Sequence, residues 1–293
     1  MMKRYRGIAI ALLALALVGV FAFVGCTKQE TPKTEPAETT ETPAQTETHD
    51  AVKLQIFAAN SLSKAMEDVQ ALYREDHDWV TFDDTQYKSS GELNEMLAAG
   101  AYADILISAS KGKMDDAANA GYIDPATRFD MFKNDLVMVT AKDSNITACT
   151  LADIAAGKYK VAVGDESVPA GNYACQSLYT VGCYSDESGL GGAFMGALAA
   201  EGMVVLDTSV GNVCKHAEAG AVDIAFVYTS DVYRFGGVKV VGTVANDTHK
   251  PIVYPAAVCA DSKNAEEAKK FLDWAFNDPK AIKIWQEWGF ELV

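Results

Sequence analysis

The side chains of this sequence best suited to chemistry are its cysteines, its histidines and several acid pairs. Cys26 stands apart, directly after an apolar run. Cys149, Cys175, Cys183, Cys214 and Cys259 show no C-x-x-C spacing of a metal or redox site. Their odd number leaves at least one thiol unpaired; Cys175 and Cys183 are the closest in sequence, and a bridge there is one of the open arrangements. His49, His77, His216 and His249 are scattered among polar residues and read as linker or surface histidines. Asp83-Asp84 and Asp115-Asp116 read as solvated faces or helix starts, not as acid–base pairs. No G-x-S-x-G, H-E-x-x-H or Walker loop is present, and the glycine-rich residues 185–192 complete no G-x-G-x-x-G. What remains is binding chemistry. Ser61-Leu62-Ser63 and Ser89-Ser90-Gly91 each open an apolar-periodic stretch. There a serine hydroxyl caps a helix, and the unpaired N–H groups at the positive end of the dipole can hold an anion. For either serine alone, capping is the default role.

The elements that must position these residues alternate between strand and helix. Residues 52–58 read as a strand, followed by a helix with Leu62, Ala65, Met66, Val69 and Leu72 on one face. Short strands follow at 80–82 and 104–108, with helices after Ser89 and over about 111–120. The alternation resumes with strands at 136–140, 160–163, 204–205, 224–228 and 238–241. Between them lie helices at 151–156, from about 172, and around 214–219, and amphipathic helices over 266–276 and 279–288 close the chain. This order predicts an α/β body built on parallel sheets.

The N-terminus carries Lys3, Arg4 and Arg6 before the apolar residues 8–24 and Gly25-Cys26. A basic start, a short apolar core and a small residue before the cut describe a signal peptide over 1–25. The placement of Cys26 resembles a lipoprotein cleavage site, which makes Cys26 the expected lipidation site. Residues 27–50 hold no Leu, Ile, Val, Met or aromatic residue and are rich in Thr, Glu and Pro, so 26–50 is expected to be a lipidated, disordered tether. The net charge is −15, and loss of the three basic residues with the signal lowers it to −18. That charge argues against nucleic acid and against adhesion to an anionic bilayer face. An anion receptor with this charge must work through local dipoles.

Several loops together resemble the periplasmic molybdate-binding protein family, over essentially residues 52–293. They are Phe57-Ala58-Ala59-Asn60-Ser61-Leu62, Ser89-Ser90-Gly91, Ala103-Asp104-Ile105-Leu106-Ile107-Ser108-Ala109, and Gly164-Asp165 with Val168-Pro169-Ala170-Gly171. Val227-Tyr228, Tyr254-Pro255 and Trp288-Gly289-Phe290 continue the pattern. The resemblance implies a two-lobed α/β periplasmic-binding-protein fold with a ligand cleft. Lobe one would hold 51–139 plus 256–293, and lobe two 140–255. It implies ligand contacts from Ser61 and Ser89 of lobe one, and from Ala170, Val213 and Tyr228 of lobe two, the first two of these through backbone N–H. Asn60, where many relatives have a small residue, is a possible further contact. Residues 182–190 look like an enlarged loop that does not touch the ligand. The implied function is capture of molybdate or tungstate by an extracytoplasmic, lipid-anchored, monomeric binding protein that serves an ABC transporter permease. Neither a cofactor nor a direct protein–metal bond is expected. A receptor for another oxyanion such as sulfate, or an extracytoplasmic hydrolase, is the alternative.

Overall fold

The computed structural model describes residues 49–293. The signal, Cys26 and the tether to residue 48 lie outside the described residues.

The chain opens with β1 (Val52–Leu54), β2 (Ile56–Ala59), a 3₁₀ turn over Asn60–Leu62, and α1 (Ser63–Asp76). Next come β3 (Val80–Phe82), β4 (Gln86–Lys88), α2 (Ser90–Ala98), β5 (Ile105–Ile107), α3 (Lys111–Asn119) and β6 (Phe129–Lys133). It then builds a second sheet system from β7 (Leu136–Ala141), α4 (Leu151–Ala155), β8 (Val161–Gly164), α5 (Pro169–Thr180) and β9 (Val204–Asp207). That system is completed by α6 (Val210–Glu218), β10 (Ile224–Tyr228), α7 (Thr229–Arg234) and β11 (Val238–Thr243). The return adds β12 (Val253–Val258), α8 (Ala265–Asn277), α9 (Pro279–Glu287) and β13 (Glu291–Leu292).

The larger sheet has the order β13-β6-β12-β5-β2-β4 and the second β11-β7-β10-β8-β9. Both are mixed. In the first, β2 runs parallel to β4 and β5, while β12 is antiparallel to β5 and β6. In the second, β8 runs parallel to β9 and β10, while β7 is antiparallel to β10 and β11. The expectation of parallel sheets therefore holds only for the pairings of β2 with β4 and β5, of β8 with β9 and β10, and of β1 with β3, which form a separate two-stranded sheet. The antiparallel strands arise because the chain enters and leaves the second sheet through direct connections. Pairing moves to the second sheet between Lys133 and Leu136 and returns between Thr243 and Val253. The sequence-based boundaries at 139/140 and 255/256 instead fall inside β7 and β12.

Local chemistry accounts for the elements. α1 buries Ala65, Met66, Val69, Gln70 and Tyr73, and Tyr73 takes the inward position expected of Leu72. Its ring packs edge-on against Phe271 and Trp274 of α8, at centroid distances of 5.1 and 4.9 Å. Trp285 of α9, fully buried, packs on Phe132 of β6 at 4.7 Å and donates its indole N–H to the Ala275 carbonyl at 2.8 Å. Each such aromatic buries a large apolar area, so α8 and α9 are held on the first sheet chiefly by burial. All five cysteines of the body are free and buried, Cys175 and Cys183 included. His249, expected at the surface, is buried and donates its Nδ1–H to the Lys250 carbonyl at 2.8 Å.

Candidate functional site

The parallel strands of both sheets end in one region. Ala59, the end of β2, runs into Asn60 and Ser61; β4 ends at Lys88 and meets the cap Ser89; β10 ends at Tyr228. The carboxyl ends of strands in open α/β sheets are where helix N-termini and loops converge on a ligand. Here they enclose a cavity lined by Ala59, Asn60, Ser61, Lys88, Ser89, Ser90, Ala109, Val168, Pro169, Val210 and Tyr228. Its volume of about 10 Å³ is close to that of one water, so a larger guest requires its walls to part.

Each wall is set by sequence. Val168 is held extended (φ −99°, ψ 112°) by the following proline, and Pro169 starts α5 at the one helical position where the missing N–H is harmless. α5 thus begins three residues before the expected start, and Ala170 supplies the first N–H of the helix. That N–H has no hydrogen bond among the described residues. Gly164 and Gly171 let the helix end sit on the strand end, since a Cβ at Gly171 would lie 2.0 Å from the Gly164 oxygen. Ser89 caps α2 in a capping box: Glu92 N–H donates to its Oγ at 3.3 Å, and its own N–H donates to the Glu92 carboxylate at 3.2 Å.

Of the expected contacts, Ser61, Ser89 and Tyr228 line the cavity, and so does Asn60. Ala170 is buried directly behind the lining residues Val168 and Pro169. Val213 lies elsewhere. It sits a full turn into α6, and its N–H is already donated to the Ser209 carbonyl at 3.0 Å. The lining residue of that helix is Val210, at its first position, because α6 begins earlier than the apolar pattern indicates. Residues 182–190 contribute nothing to the lining. The Asn60 amide is engaged on both sides: it donates to the Tyr87 carbonyl at 3.5 Å, and its Oδ1 accepts from Arg234 at 3.1 Å.

The Tyr228 hydroxyl decides what the cavity can do. Tyr228 is 1% exposed, and its hydroxyl has no hydrogen-bond partner among the described residues. A buried, unpaired hydroxyl costs about 1–3 kcal/mol. Such a group in a cavity wall marks a position where a guest is expected to accept. Burial, and then the neighbouring Tyr254, push its pKa well above the usual tyrosine value, so it stays a neutral donor.

Contacts between residues of the two sheet systems surround the cavity. Gly91 N–H donates to the Ser167 carbonyl at 3.1 Å, and the Ser89 hydroxyl donates to Ser167 Oγ at 3.1 Å. A side chain at Gly91 would place Cβ 2.9 Å from the Ser167 backbone. On the opposite side Arg234 donates to the Asn60 carbonyl and to Ser63 Oγ, the latter at 3.1 Å. It also pairs with Asp231 at 2.7 Å, with side chains 6% and 0% exposed. Burial raises the Asp231 pKa and Arg234 pulls it back; the pair is neutral overall, and Asp231 also accepts the Tyr228 N–H at 3.1 Å. Ser61 Oγ lies 2.9 Å from the Tyr254 hydroxyl. Sequence reasoning missed Ser167, Asp231 and Arg234. The acid at the third position after Tyr228 and the arginine three residues beyond were the available signal.

A family model of bacterial extracellular solute-binding proteins matches residues 54–291. YvgL of Bacillus subtilis, named as an ABC transporter substrate-binding lipoprotein, is 30% identical over 99% of this chain and 99% of its own. The molybdate-binding protein ModA of Escherichia coli is 34% identical over 83% of this chain and 90% of its own. The solved substrate-binding domain of a molybdenum ABC transporter from Clostridium difficile is 32% identical. It has a TM-score of 0.60, covering 82% of this chain and 99% of that one. The sulfate-binding protein SubI of Mycobacterium tuberculosis, at 18% identity, shares the fold with a TM-score of 0.69 over 84% of this chain and 88% of its own.

Proposed function

This chain belongs to the bacterial extracellular solute-binding proteins, a non-enzymatic family related to the ModA proteins, and from that premise we propose that its cavity captures molybdate or tungstate. The observation that carries the reading is the buried Tyr228 hydroxyl with no partner among the described residues, in a wall shared with Ser61 and Ser89. Neutral donors facing a desolvated site suit an anion that only accepts. Hydrogen bonds to a charged acceptor contribute about 1.5–3 kcal/mol each, so a few suffice for micromolar binding or tighter. Ser61 and Tyr228 would donate through hydroxyls, Ser89 through its own once its bond to Ser167 opens, and Ala170 through its backbone N–H. Val213 would act as helix packing, and Asn60 through Arg234.

Residues 51–135 with the return from about 252 would form one lobe and the rest the other, with opening at the two crossings near Asn134 and Val253. The body would work extracytoplasmically beside an ABC transporter permease, tethered by a lipid on Cys26, as the similarity to the lipoprotein YvgL supports.

Titration calorimetry of the protein with molybdate, tungstate, sulfate and phosphate tests the assignment. Tight binding of the first two is the expected result. Preference for sulfate would move the assignment to another oxyanion, and failure of all four to bind would refute it.

A further inference from the structure

Serine hydroxyls normally rotate, accepting or donating as a ligand demands. Ser61 is an exception on geometric grounds. Tyr254 is fully buried, and Ser61 Oγ, 2.9 Å away, is the one oxygen among the described residues placed to accept its hydroxyl hydrogen. The other group near that hydroxyl is the Asn134 amide nitrogen at 3.4 Å, which can only donate. The amide's orientation is itself pinned. Its Oδ1 accepts the Asp135 N–H at 3.0 Å, and its Nδ2 donates to Ser230 Oγ at 2.8 Å. If Ser61 donated to Tyr254, the tyrosine hydrogen would be buried without an acceptor. The bond order therefore runs from Asn134 to Tyr254 to Ser61, and the Ser61 hydrogen is left for the cavity that Ser61 lines.

We propose that Asn134 and Tyr254 are positioning residues that keep the Ser61 hydroxyl hydrogen from being spent inside the protein, so that Ser61 meets a bound tetrahedral oxyanion as a donor. This rests on the oxyanion reading of the cavity and adds what orients its Ser61 donor. Asn134 lies in the first crossing between the sheets and Tyr254 begins the return, so the donor direction is set at the hinge itself.

The test compares wild type, Tyr254→Phe, Ser61→Ala and the double variant of the full-length protein, titrated with molybdate at neutral pH. Tyr254→Phe frees the Ser61 hydroxyl to rotate. Molybdate affinity should fall roughly three- to tenfold. In the Ser61→Ala background the same substitution should change molybdate affinity less than twofold. An equal loss in both backgrounds would overturn the relay. A second readout does not depend on any ligand. In tyrosine-labelled protein, a slowly exchanging hydroxyl proton should show cross-relaxation to the Ser61 β-protons and vanish in Tyr254→Phe. Its absence from wild type refutes the relay even if molybdate binds; its presence in a protein that binds no oxyanion refutes the oxyanion reading alone.

Discussion

Replacing Tyr228 with Phe should move stability and affinity in opposite directions. The phenol is buried and its hydroxyl has no partner among the described residues, so the folded protein carries the desolvation cost of that group. Deleting the oxygen keeps the ring, which meets the Tyr254 ring edge-on at 5.8 Å. Taking the low end of the penalty for an unpaired buried hydroxyl, the variant gains about 1 kcal/mol without ligand. For a body of this size that raises the unfolding temperature by roughly 2–4 °C. With molybdate the sign reverses, because a hydrogen bond to a charged acceptor worth about 1.5–3 kcal/mol is lost, and the dissociation constant rises roughly 10- to 150-fold. Scanning calorimetry without ligand and titration calorimetry with molybdate read the two effects separately. A variant that is less stable than wild type and binds molybdate equally well would refute the reasoning, since the hydroxyl would then have a partner inside the protein and none in the ligand.

Gly91→Ala should wedge the cleft, because its Cβ would sit 2.9 Å from the Ser167 backbone; small-angle scattering should show a larger radius and calorimetry weaker molybdate binding. An unchanged radius with unchanged affinity would show that the Gly91–Ser167 approach is not needed for closure. Molybdate affinity should stay flat from about pH 7 to 9, because burial raises the Tyr228 and Tyr254 pKa values above their usual figure of about 10 and no histidine lines the cavity. Folding stability should instead fall as pH rises beyond about 10, where these tyrosines ionise in the unfolded chain before the folded one; a transition in affinity near pH 8 would contradict the first statement, and constant stability above about pH 10 the second. Cys26→Ala should release the protein from membranes in fractionation while leaving molybdate affinity unchanged, and full membrane retention would count against a lipid tether.

β2 and β10 were legible from their apolar runs, and the helix starts after Ser61 and Ser89 from their serines; β4, whose Gln86-Tyr87-Lys88 holds no apolar run, and α7 after Tyr228 were not read. The less legible strands are those whose pairing is set at long range. β12 carries Pro255, which cannot donate to a ladder, and the register with β6 slips at Tyr254/Pro255 to accommodate it. No local pattern announces such a strand. The early start of α5 was readable in principle from Val168-Pro169, since proline fits the first helical turn; the apolar periodicity pointed a few residues later. At the site, the hydroxyls could be named from resemblance, but the groups that orient them could not. Arg234 reaches Asn60 across 174 residues of sequence and Ser61 meets Tyr254 across 193, and those separations carry no spacing signal.

The acidic charge of the chain constrains how such a site can work. At −15 over the whole sequence, the chain repels a dianion at long range. Physiological salt screens that repulsion within about 8 Å, whereas donors in a closed cavity act at contact and are barely screened. The lining fits this division. Its one cation, Lys88, is exposed, and the buried Arg234 is neutralised by Asp231 and turned toward Asn60 and Ser63. In the proposed reading, attraction comes from hydroxyls and helix N–H groups whose directions are fixed by packing. Selectivity follows from those directions, because a neutral donor distinguishes an acceptor from a donor, while a cation would attract every anion of the same charge.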